Sequence, residues 1–138
     1  MTEWVEDIKL SIYARLKNEV IATLKQTYPD IFFTMEEQIS SSTRFPTVYI
    51  HFLPGSERGG DLEGNTINAI DCPIQFEVVV SNAQGMSGAR RVSNEIVKQL
   101  KKMRFTFNDS LPEFQNINAD TKRIVGRTRR TIGQGDIL

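Results

Sequence analysis

The stretch INAIDCPIQFEVVV, residues 67–80, decides the fold. Its side chains alternate, and the polar ones, Asp71, Gln75 and Glu77, share the face that meets solvent or a neighbour. The apolar face consists of Ile70, Cys72, Ile74, Phe76, Val78 and Val80. A period of two is that of a β-strand lying on a core, so the pattern predicts a strand over 66–81. Because Pro73 has no backbone N–H for a ladder, we expect an edge or a bulge at that point.

Two amphipathic helices and further strands are predicted on either side of this strand. Apolar residues at spacings of three and four predict helices over 3–27 and 87–103. The alternating stretch FPTVYIHFLP, residues 45–54, predicts a second strand. Weaker patterns predict strands at 31–39, 104–107, 114–117 and 121–132. This order predicts one α+β domain over residues 1–138, with an antiparallel or mixed sheet and both helices packed on one face.

Composition excludes several classes of protein. The chain has 138 residues, 39% of them hydrophobic and 25% charged, which is typical of one soluble globular domain. A single cysteine and a single histidine exclude an internal disulfide and the thiolate or His-pair zinc sites. The sequence shows neither a signal peptide nor an apolar stretch of about 18 residues. We therefore expect a protein of the reducing cytoplasm that binds no metal, no cofactor and no membrane.

A catalytic site would have to be built on His51 or Cys72. His51 lies in an alternating strand with no recognisable acid–base partner, and Cys72 lies on the apolar face of its strand. The glycines near residues 55–64 match no nucleotide-binding motif. We predict that the protein has no catalytic residue and is not an enzyme.

Charge is distributed unevenly along the chain. Residues 1–89 carry six basic and twelve acidic residues, a formal −6, whereas residues 90–138 carry eleven basic and five acidic ones, a formal +6. Such asymmetry is typical of a nucleic-acid-binding face or of subunits that assemble head to tail. The long Gly-rich loop at 54–65 is, in addition, a candidate contact arm.

The order of these features resembles one known family. It comprises a helix ending in Tyr28-Pro29, the strand FPTVYIHFLPG, a loop rich in glycine and acidic residues, the strand INAIDCPIQFEVVV, the helix GARRVSNEIVKQLKKM and a last strand. Together they resemble the tail terminator, or tail-completion, proteins of long-tailed bacteriophages. The resemblance lies in the order of the elements over most of the chain, since no signature motif is present.

The resemblance implies a structural role in the virion. Such a subunit forms a ring, commonly a hexamer, on the head-proximal end of the tail tube, where it ends tube polymerisation and joins the head. Its partners are further copies of itself, the major tail tube protein and a head–tail connector or stopper protein, with DNA only in transit through the lumen. Assembly takes place in the host cytoplasm.

Two groups of residues are predicted to make these contacts. Glu57, Arg58, Asp61 and Glu63 belong to the loop predicted to meet the tube or a neighbouring subunit. Arg127, Arg129 and Arg130 belong to the strand predicted to face another subunit or the channel. Two alternatives stay open: another head–tail connector or stopper protein of the neck, and a small nucleic-acid-binding domain that uses the basic C-terminal third.

Overall fold

The computed structural model describes residues 3–35, 45–55, 57–58, 69–107, 113–114, 121–133, 136 and 138. Within these residues the chain forms two helices and six strands. In chain order they are α1 (Glu3–Leu24), β1 (Phe32–Thr34), β2 (Thr47–Phe52), β3 (Glu57–Arg58), β4 (Ala69–Ser81), α2 (Gly85–Lys102), β5 (Glu113–Phe114) and β6 (Thr121–Gly133). The predicted single α+β domain is confirmed.

The observed elements agree closely with the predicted ones. Helix α1 ends three residues early, where the N–H groups of Thr27 and Tyr28 close a last turn on the Leu24 carbonyl at 3.1 and 2.8 Å. The strand predicted at 104–107 is reduced to one bridge between Thr106 and Arg129. Parts of the strands predicted at 31–39, 66–81 and 114–117 lie outside the described residues.

The strands form a mixed sheet in the order β1-β2-β4-β6-β5, and β3 also pairs with β4. The β1–β2 pair is parallel, and the other pairs are antiparallel. Strand β4 is central, so that Phe76 lies between Ile50 of β2 and Gly126 of β6. The strand with the clearest alternation in the sequence is therefore the central strand of the sheet.

Pro73 lies in this central strand, so the expectation of an edge or a bulge there is wrong. On one side it faces Arg129, whose N–H and C=O both bond to Thr106 at 3.1 and 3.0 Å instead. On the other side β2 ends opposite Ile74 and β3 begins opposite Ile70. Leu53, the residue after β2, donates its N–H to the Pro73 carbonyl at 2.9 Å, but Pro73 has no N–H to donate in return, and the β2 ladder ends at this point.

Gly55 follows β2 and passes close to the same part of β4. A Cβ at this position would collide with the carbonyl oxygen of Asp71 and come within 3.1 Å of the Pro73 ring. Glycine permits this approach because it has no side chain. The chain can therefore turn against β4 before it pairs as β3.

Both helices cover one side of the sheet, which we call the helix-facing side. Alternate strand residues and the inner stripes of both helices meet there in one core. Its fully buried members include Ile12, Leu16 and Val20 of α1, Ile50, Ile74, Phe76 and Val78 of the sheet, and Val92, Ile96 and Leu100 of α2. The predicted packing of both helices on one face is confirmed. Neither described helix is long and apolar enough to cross a membrane.

Helix α2 ends in a turn that returns the chain to this core. Arg104 adopts a left-handed conformation with φ of 66°. The N–H of Arg104 bonds to the Lys101 carbonyl and that of Phe105 to the Leu100 carbonyl, both at 3.0 Å. This is the pattern of a Schellman cap, and it delivers Phe105 into the core.

Candidate interaction surface

The side of the sheet opposite the helices, which we call the open side, carries polar residues. Strand alternation and the β4–β6 register place Gln75 beside Arg127, Glu77 beside Val125 and Asp71 beside Thr131. The Thr131 hydroxyl donates to Oδ1 of Asp71 at 2.8 Å. The open side is therefore a polar surface whose side chains pair across strands.

A chain of contacts runs along the middle of the open side. Nε of Arg127 donates to Oε1 of Gln75 at 2.9 Å, and Nε2 of Gln75 lies 3.4 Å from Oε1 of Glu77. The Arg123 guanidinium lies 3.6 Å from the same Glu77 oxygen. Since the Glu77 side chain is only 11% exposed, these contacts offset the cost of burying its charge.

His51 belongs to the open side as well. It is exposed, lies opposite Gln75 in the register, and stacks its ring on that of Tyr49 with the centroids 5.6 Å apart. Nowhere in the described part of the chain do three or more His, Cys, Asp or Glu side chains come together in a way that could hold a metal ion. The arrangement around His51 is one of surface stacking.

Cys72 lies on the helix-facing side and is 2% exposed. Burial raises the pKa of its thiol to about 11, although the positive charges of Lys9 and Arg130 oppose the shift. The thiol is therefore protonated at neutral pH and out of reach of a substrate in solution.

The three arginines predicted to act together lie on two sides of the sheet. Arg127 and Arg129 are exposed on the open side. Arg130 points to the helix-facing side, where its side chain is 9% exposed, donates to the Met103 carbonyl at 2.9 Å and lies 3.8 Å from Asp136. Arg130 therefore connects β6 to the end of α2, whereas Arg127 and Arg129 are available for contacts with other molecules.

Of the predicted loop, 54–65, the structure describes Pro54, Gly55 and the two residues of β3. Glu57 pairs with Ile70 and Arg58 with Ala69, so β3 lies along the first residues of β4. Asp61 and Glu63 lie outside the described residues. On the other side of β4, three residues further along, Pro73 faces Arg129. The structure thus brings the loop and the arginine strand to the same end of the sheet.

The contacts among Gln75, Glu77 and Arg123 were not foreseen from the sequence. Alternation showed that Gln75 and Glu77 leave the core, but their partners depend on the register between β4 and β6, strands separated by some forty residues. A shift of that register by one residue would place Arg123 and Arg127 on the other side of the sheet. The sequence carries no local signal for this choice.

No protein-family model matches the chain, and the curated proteins contain no match to it. The assignment of a role therefore depends on the geometry described above and on the order of the elements.

Proposed function

We propose that this chain is a non-enzymatic structural subunit of a long-tailed phage virion. Copies of it, six as in the family that it resembles, form a ring on the head-proximal end of the tail tube. The ring ends tube polymerisation and provides the surface for head joining. Its partners are other copies of itself, the tube protein and a head–tail connector, and DNA crosses the lumen only in transit.

One observation carries the proposal: two predicted contact elements converge on one end of the sheet. Strand β3, the root of the Gly-rich loop, and the exposed Arg129 flank the same part of β4. Polar strand faces with exposed arginines suit specific contacts between proteins, because arginine combines charge with a planar donor array. This end of the open side would face a neighbouring subunit, the tube or the channel.

The distribution of basic residues argues against the nucleic-acid alternative. Arg90, Arg91 and Lys98 lie exposed on α2 in the helix layer, whereas Arg127 and Arg129 lie on the open side. Since the sheet separates the two sets, one straight duplex would not contact both at once, and phosphate neutralisation would be limited to one set. A connector or stopper protein of the neck would use the same open side, and binding to isolated tail tubes distinguishes it from a terminator.

The test is the double substitution Arg127→Glu with Arg129→Glu. Arg130 is left unchanged, because a carboxylate in its place would be buried. We expect the wild type to form a closed ring, alone or on isolated tail tubes, and the variant to lose ring formation or tube capping. Light scattering across a concentration series and electron microscopy measure both.

The matched control is Lys17→Glu with Lys102→Glu, which makes the same change of charge at two exposed helix positions. Lys102 is in the last turn of α2, so its replacement by a carboxylate also opposes the helix dipole, at a cost of less than about 1 kcal/mol. Both double variants should unfold within about 1 kcal/mol of the wild type, as surface substitutions usually do. Unchanged rings and unchanged capping in the arginine variant would reject the open side as a contact surface. A wild type that remains monomeric with tubes present would reject the terminator function.

A further inference from the structure

A groove of about 730 Å³ lies between the end of α1 and residues 87–98 of α2. Its lining includes Thr23 and Thr27 from the α1 side and Ser87, Arg91, Asn94 and Lys98 from α2. The open side of the sheet does not take part in it, so the groove is a separate surface.

The groove presents hydrogen-bond donors and positive charge. Ser87, Arg91, Asn94 and Lys98 follow the spacing of a single stripe along α2, and all four are exposed. The acidic member of the lining, Glu95, accepts a hydrogen bond from Nε2 of Gln99 at 3.0 Å and is thereby engaged along its own helix. Such a lining suits a ligand that carries carboxylates.

A surface of the opposite character lies on the first turns of α1. Glu6 and Asp7 are exposed, and the Glu6 side chain, 68% exposed, reaches Lys9 only at 3.9 Å. Leu10, one turn further on, is 55% exposed and is the most exposed of the large hydrophobic residues described. We call Glu6, Asp7 and Leu10 the acidic patch.

We propose that the groove of one copy receives the acidic patch of the next copy. Glu6 and Asp7 would pair with Arg91 and Lys98. Leu10 would lie against the small exposed part of Leu24, the apolar member of the groove lining, which is 6% exposed. Charge complementarity and the exposed leucine favour a protein partner over a phosphate chain, which would gain nothing from an apolar contact.

The positions of the two surfaces favour repeated assembly. Sixteen residues separate Asp7 from Thr23, which is about 24 Å along a helix. A contact between different surfaces at the two ends of one rigid element is heterologous, so copies add head to tail and form a ring when the rotation closes. This inference rests on the proposed ring and names its subunit contact, which leaves the open side to the tube or the channel.

The experiment uses two variants of opposite charge. Variant A carries Glu6→Lys and Asp7→Lys, so both its surfaces are positive; variant B carries Arg91→Glu and Lys98→Glu, so both are negative. Each alone should associate at least about 100-fold more weakly than the wild type, since like charges face each other. An equimolar mixture should restore rings, because every A–B contact again joins opposite charges.

Two controls keep the result interpretable. Lysines near the start of α1 oppose its dipole, so Glu6→Gln with Asp7→Asn is measured too and should weaken association by an intermediate factor. Lys17→Glu with Lys102→Glu should leave association unchanged, and in a mixture it should not bring variant A into rings, because the positive patch of A would still meet a positive groove.

The outcomes separate this contact from the ring itself. Recovery in the mixture alone supports the proposal. Rings formed by A alone and by B alone, as by the wild type, would overturn this contact and leave the proposed ring intact. The other occupant of the groove, a phosphate chain, is tested with duplex DNA at low salt. Binding of DNA by the wild type that B loses, with the association of B unchanged, would also overturn the contact. A wild type that never assembles, with or without tubes, would overturn both.

Discussion

The two sides of the sheet use alternate residues of the same strands and are stabilised differently. On the helix-facing side, Ile74, Phe76 and Val78 are fully buried among the helices. On the open side, Gln75 and Glu77 are held by contacts with arginines of β6. The helix-facing side is stabilised mainly by removal of apolar area from water, whereas the open side is stabilised mainly by pairing of polar groups. Neighbours in sequence can therefore have unrelated roles.

The strongest test of this contrast is Phe76→Ala. Phe76 is completely buried at the centre of β4, so loss of its ring should lower the free energy of unfolding by about 3–5 kcal/mol. Its neighbour on the open side provides the control: Gln75→Ala should cost about 1 kcal/mol or less. Urea denaturation followed by circular dichroism measures both. Similar losses in the two variants would contradict the contrast.

A smaller effect separates two arginines of one strand. Arg130→Ala removes a charged donor from the Met103 carbonyl and empties a nearly buried site, and should cost about 2 kcal/mol. Arg127→Ala removes an exposed side chain and should cost less than about 0.5 kcal/mol. Equal stability of the two variants would mean that Arg130 does not hold β6 to the helix layer.

The smallest effect concerns the pH dependence of Cys72. Its thiol has a pKa of about 11 in the folded protein against an ordinary value of 9.0, so above pH 9 the unfolded chain ionises first and unfolding becomes easier. By pH 10 this should cost about 1 kcal/mol. The free energy of unfolding of Cys72→Ala should therefore fall less between pH 7 and pH 10 than that of the wild type. The measurement is the fall in each protein between these two pH values. Parallel declines would show that the thiol is not shielded from water.

Most of the fold was predictable because its signals are local. The alternation around Phe76 identified the central strand, and the apolar stripes identified both helices to within three residues. Pro73 misled the prediction, because a central strand tolerates proline at a point where one of its partner strands ends, as β2 does here.

The candidate surfaces were predictable only in part. Alternation along the last strand predicts that Arg127 and Arg129 are exposed and that they lie on the same side of the sheet as Val125. Arg130, adjacent in sequence, was grouped with them, although the same alternation turns it toward α2. The groove is formed by residues 23–27 and 87–98, two segments far apart in the chain. No local sequence pattern predicts it.

Periodicity, which reports the environment of each residue along its own element, was enough to specify the α+β class, the two helices and the buried side of the sheet. Long-range packing alone determined which residues meet: the register that joins Gln75 to Arg127, and the approach of α1 and α2 that opens the groove. The physical reason is that burial depends on local pattern, whereas pairing between distant segments depends on the relative positions of whole elements.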